Sequence, residues 1–240
     1  EAGNTSPRLI NGNLDSQGTL NMAGSLDMQT SGKDYANSGT FNINGGGGNV
    51  NMSGASSTTS TWANSGSFKM TSGNLGLSSF QTITNSGLID MTGGGDLTLS
   101  GFTNFNNSGD VEIPAGQTLT VFGGSFNMNG SSLDGGGTLK FQSGADLILN
   151  NGPYSPGTST LTVTGDGSRV AGTGTLTNAS TLNVFTGANI ESPLVNDGNI
   201  LIQGDTSTST NVLFSNSAIN NGTLRIEALN DNSSLNAPVL

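Results

Sequence analysis

Four charged residues of this 240-residue chain are spaced so that they could work together: Lys69, Asp90, Glu112 and Lys140. Each is the middle residue of an apolar–polar–apolar triplet, as in Phe68-Lys69-Met70 and Ile89-Asp90-Met91. If the triplets stack, the four side chains form one outward column in which Asp90 and Glu112 are adjacent. Neighbouring carboxylates can share a proton or hold a cation, which would suit a polysaccharide-binding or -cleaving site. The competing reading is a solvated stripe of alternating charge, whose Lys69–Asp90 and Glu112–Lys140 pairs contribute little. The stripe is the expectation.

Other chemistries find less support. The chain has no His and no Cys, which removes imidazole bases, thiolate nucleophiles, disulfides and the usual zinc ligands. A Ser nucleophile would lack its base, and neither Ser-x-x-Lys nor a GxxxxGK[ST] phosphate loop occurs. Gly93-Gly94-Gly95-Asp96-Leu97-Thr98-Leu99 partly matches the calcium-binding nonapeptide of β-rolls, but no tandem copy follows. No cofactor is therefore expected, and calcium at an acidic corner would be incidental. With 16 acidic and 6 basic residues the net charge is -10, which argues against nucleic acid or an anionic membrane as partner. No segment approaches the 18 or so apolar residues of a membrane-spanning helix. The N-terminal Glu1-Ala2-Gly3-Asn4 carries neither a basic nor an apolar signal region, so the chain reads as processed or excised.

The elements that must position these residues are strands. Charged residues make up 9% of the chain, against 38 Gly and 31 Asn, a composition that on its own resembles disorder. The 32% hydrophobic residues nevertheless fall in short alternating runs such as Phe41-Asn42-Ile43, Leu97-Thr98-Leu99 and Leu161-Thr162-Val163. Each is a period-2, half-buried strand ending in Gly, Asn or Ser, and no window shows a 3.6-residue stripe.

One pattern repeats: Asn-Ser-Gly, a spacer, then apolar-polar-apolar. It occurs at Asn37–Ile43, Asn64–Met70, Asn85–Met91 and Asn107–Ile113, with looser copies at Asn178, Asn196 and Asn220. The register extends through Gly18, Gly137 and Ser159. Successive anchors lie roughly 22 residues apart, a period suited to a solenoid whose insertions go to its turns. Each period has room for an anchor strand, a second strand after a Gly-rich corner, and a third just before the Asn. The predicted fold is all-β: a right-handed parallel β-helix (β-solenoid) of about ten coils, three short strands each. It spans residues 14–228, between terminal segments 1–13 and 229–240. The longer intervals place extra residues near 53–61 and 122–132, the predicted contact bulges.

Stacking turns Asn37, Asn64, Asn85, Asn107, Asn178, Asn196 and Asn220 into one corner column. Asn tolerates the left-handed conformation of a sharp corner, and its amide can bond to copies above and below as in cross-β ladders. The coils anchored at Gly137 and Ser159 have Gly135 and Gly157 there, predicting a break in the ladder. Thr118/Thr120 and Thr160/Thr162/Thr164 resemble ice-binding solenoids, but the outward column is mixed, so that reading is remote.

Runs such as Asn37–Ile43, Gly174–Val184 and Asn220–Ile226 resemble the coil repeats of bacterial surface β-helices, namely autotransporter passengers and filamentous-haemagglutinin-like exoproteins. The resemblance implies a secreted or cell-surface, non-enzymatic rod, adhesive or structural. Its partners would be copies of itself or glycans and proteins on host or bacterial surfaces. Neither end of the sequence shows an obvious polar cap, so it reads as a segment of a larger adhesin or a protomer of an end-to-end filament.

Overall fold

The computed structural model describes residues 8–28, 31–204, 211–227 and 234–236. Among them there is no helix, and strands of successive turns pair in parallel into a right-handed β-helix of about nine turns. At about 4.8 Å per turn the rod is on the order of 45 Å long. Parts of the terminal segments 1–13 and 229–240 lie outside the described residues.

A turn visits three faces. In the first full turn these are the anchor face (Thr19–Met22), the second face (Leu26–Met28) and the third face (Asp34–Asn37). Two long strands, Thr40–Asn64 and Ser67–Asn85, wrap all three faces. Because side chains alternate in a strand, each face sends every second residue inward, and registration aligns these into columns. Phe41, Phe68, Ile89 and Val111 stack on the anchor face. Leu75, Leu97, Leu119, Leu139, Leu161, Leu182, Ile200 and Leu224 stack on the second. Trp62, Ile83, Phe105, Phe126, Leu147 and Val170 stack on the third. Most of these side chains are fully buried in one continuous core. Aromatic rings lock neighbouring turns together, Phe105 lying flat on Phe126 at 4.5 Å and Trp62 edge-on to Phe68 at 4.9 Å.

The register differs from the sequence expectation at one point. The strand after Gly109 pairs not with the one after Gly137 but with Leu133–Asp134, matching Val111 to Leu133 and Glu112 to Asp134. Thr138–Gln142 lies over Thr118–Phe122 on the second face instead. The long interval from Gly109 to Gly137 is thus one turn plus one face, and beyond it the repeat motif marks the second face. An alternating strand fits any of the three faces; what decides is the chain between. Residues 122–132 are no bulge, because Ser125–Met128 is an ordinary third-face strand with Phe126 packed inward. The insertion at 53–61 is present: Ser53 pairs with Ser78 and Thr61 with Thr82, eight residues against four.

The Gly of each Asn-Ser-Gly is required by space. A Cβ on Gly66 would land on the Gly39 carbonyl oxygen, one on Gly87 on that of Gly66, and one on Gly109 on that of Gly87. Gly18 holds the same motif position with nothing within 4 Å. Gly87→Ala is therefore expected to cost about 3 kcal/mol or more, as overpacking against backbone does, and Gly18→Ala less than about 1 kcal/mol. Urea denaturation of the two variants checks this; equal losses would refute the steric account.

Candidate functional site

The seven Asn residues form two ladders, not one. Asn37, Asn64, Asn85 and Asn107 end third-face strands, at the corner leading to the anchor face. Asn178, Asn196 and Asn220 end the strands Thr175–Asn178, Leu194–Asn196 and Ala218–Asn220 on the anchor face, at the corner leading to the second. The cause is the one-face slip after Gly109, which moves the motif to the next corner. Between the ladders the first corner is filled by Met128, Leu149 and Gly172. The ladder does break mid-rod, and it resumes elsewhere.

Each rung has one polarity. Asn37 Nδ2 donates to Asn64 Oδ1, Asn64 to Asn85 and Asn85 to Asn107, each at 2.8 Å. In the upper ladder Asn178 donates to Asn196 and Asn196 to Asn220, both at 2.6 Å. The amides also donate to corner carbonyls, Asn64 Nδ2 to Leu88 O at 3.1 Å for example. The backbone is bound too: the Asn37 carbonyl accepts from Ser65 N and Gly66 N, and the Asn178 carbonyl from Asp197 N and Gly198 N. The expected left-handed backbone is not used, since among the described residues the only non-Gly residues with positive φ are Ser79 and Ser143. Asn is needed here because its side chain, buried at every position but Asn220, can donate and accept at once. The first rung of each ladder therefore has an acceptor left over, and Asn37 Oδ1 and Asn178 Oδ1 are both buried without a partner.

The charged column also differs from its sequence reading. Lys69, Asp90 and Glu112 do lie side by side on the anchor face, but the next residue is Asp134. Lys140 lies on the second face between Thr120 and Thr162, again because of the slip. Asp90 is tied down: Lys69 Nζ is 3.1 Å from Oδ2, and Thr92 donates its backbone N–H (2.8 Å) and its hydroxyl to Oδ1. Burial works to raise its pKa, but the hydrogen bonds from Thr92 and the Lys69 ammonium outweigh it and hold the carboxyl below the usual range. A carboxylate kept ionised in this way is a poor proton donor near neutral pH. Among the described residues no three acidic side chains converge as a metal site.

The second face carries a threonine column, Thr118, Thr138, Thr160 and Thr181. The column beside it reads Thr120, Lys140, Thr162 and Asn183, so the two do not form a regular hydroxyl array. On the third face is a charge cluster that the sequence reading missed. Arg169 binds Asp146 with two parallel bonds, at 2.9 and 3.1 Å, and Glu191 at 3.2 Å. Its signal was available, because the three residues are about one turn apart in sequence. The Asp146 bond raises the already high pKa of the guanidinium. Neither a family model, a curated protein nor a solved structure matches the chain.

Ser16 lies beneath Asn37 in register, so Ser16→Asn adds a rung whose Nδ2 reaches the orphaned Asn37 oxygen. It is expected to stabilise by about 1 kcal/mol, whereas Asn64→Ala, which leaves buried partners on both sides, should cost about 2–4 kcal/mol. Thermal melts of both variants check the pair. Asp90 also sets a pH dependence. Its folded pKa lies below its unfolded value of about 3.9, so its contribution is present above that pH and lost as pH falls through the folded value. Asp90→Asn should flatten the fall in stability below about pH 4, and an unchanged acid limb would contradict this.

Proposed function

We propose that this chain is a non-enzymatic structural and adhesive rod that acts outside the cytoplasm, in a bacterial surface or secreted assembly. One observation carries the reading: a single apolar core runs through the stack without interruption, and short polar side chains cover most of its outer faces. Such a stack is stiff along its axis and presents the same three faces at a fixed spacing, a geometry suited to reach and display. The resemblance of the corner repeats to bacterial surface β-helices supports the same setting. The polysaccharide-cleaving alternative is weakened by the state of Asp90, bound on both oxygens and favouring the charged form.

The partners in this reading are glycans or proteins on host or bacterial surfaces, or further copies of the chain. Labelled protein is expected to be retained on bacterial or animal cells, and periodate or protease treatment of the cells distinguishes glycan from protein receptors. A scattering profile showing the rod together with no retention on any surface would sink the adhesive reading. Sedimentation across a concentration series separates a filament protomer, which lengthens, from a rod segment, which does not. Turnover of acidic polysaccharide that disappears in an Asp90→Asn, Glu112→Gln double variant would favour the enzyme.

A further inference from the structure

In a solenoid each turn touches only its neighbours, so stability is a sum over turns and the junctions between them. One junction here is unlike the rest. On the anchor face, Leu133–Asp134 pairs back with Val111–Glu112, but the next strand on that face, Pro153–Tyr154, does not pair with it. Pro153–Tyr154 instead begins a separate four-stranded sheet that continues through Ala218–Asn220. Only the second and third faces bridge the junction, through Leu139–Leu161 and Leu147–Val170.

Two further features meet at the same level, and a third, the gap between the Asn ladders, spans it. No Asn rung crosses it, because the lower ladder ends at Asn107 and the upper one starts at Asn178. Two buried hydroxyls, Tyr154 Oη and Ser159 Oγ, have no hydrogen-bond partner. Burial, with Asp134 adding to it, pushes the Tyr154 phenol well above its ordinary pKa. A cavity of about 100 Å³ lies between the turns, lined by Met128, Ser131, Leu149, Pro153 and Tyr154 among others. Missing ladder bonds, unmet polar groups and empty space each weaken a junction.

We propose that the rod is two cooperative units that meet between the turn of residues 133–149 and the turn of residues 153–172, and that they unfold separately. The lower unit holds the four-residue ladder and the contacts of Tyr35 with Phe80, and of Phe68 with Phe41 and Trp62. The upper unit is held by the three-residue ladder and the Arg169–Glu191 pair, while the bonds from Arg169 to Asp146 are the one charged link across the junction among the described residues.

The chain contains a built-in probe, since Trp62 is its only Trp and lies in the lower unit. Urea denaturation of the whole chain is followed by far-ultraviolet circular dichroism and by Trp62 fluorescence. The expected result is two steps by circular dichroism and one by fluorescence, coincident with just one of the two. Tyr154→Phe removes the orphaned hydroxyl at the junction and should bring the two midpoints closer. Ser192→Ala, which removes an orphaned hydroxyl within the upper unit, should move only the step that Trp62 does not report. A single step at which both signals coincide, with Tyr154→Phe and Ser192→Ala each shifting both signals alike, would overturn the proposal.

Discussion

A turn of this rod is only a few side chains across, so it cannot bury a core alone and depends on the turn beneath it. The contact that fixes how two turns meet is the Asn-x-Gly corner. There a buried Asn carbonyl accepts two N–H groups from the next turn, its side-chain amide bonds the next Asn, and the Gly leaves room for the carbonyl oxygen below. Once that spacing is set at one corner, the parallel pairings on the flanking faces fall into register. The apolar columns then align without further instruction. The corner thus acts as a gauge, and the rest of the fold follows it.

The same geometry accounts for the composition. Gly supplies close approach at the corners, Asn supplies a buried group that both donates and accepts, and one inward residue in two suffices for so narrow a core. Charge stays outside, where it is either solvated or tied down locally. Asp90 and Arg169 illustrate the second case: each charged group is held by several partners at once, more than an exposed pair would offer. Both sites brace one turn against the next.

The repeating parts of this structure were legible in the sequence. The alternation in Phe41-Asn42-Ile43 or Leu161-Thr162-Val163 identifies strands because period 2 has one physical meaning. The recurrence of Asn-Ser-Gly identifies stacking because no isolated turn requires it. What could not be read was which face a strand occupies. By side-chain type Leu139 stacks on Val111 as acceptably as on Leu119, and the choice rests on whether Ser125–Met128 forms a strand of its own. That single ambiguity misplaced Lys140, merged two ladders into one and turned a regular strand into a supposed bulge. The Asp146–Arg169–Glu191 brace was missed for a related reason, since only the correct stack shows that these residues share a face.

The two ladders show that the Asn-x-Gly corner works equally well at either of two vertices of the coil. A repeat array that begins again one strand out of phase is still accepted, and the core closes over the discontinuity. Everything displayed beyond that point is turned about the long axis by one side of the triangle. A lineage of such chains can therefore re-aim its outer surface by about a third of a revolution through a short insertion or deletion, leaving every repeat intact. Duplication and unequal exchange, the ordinary accidents of repetitive genes, become a means of steering what a rod shows to its surroundings.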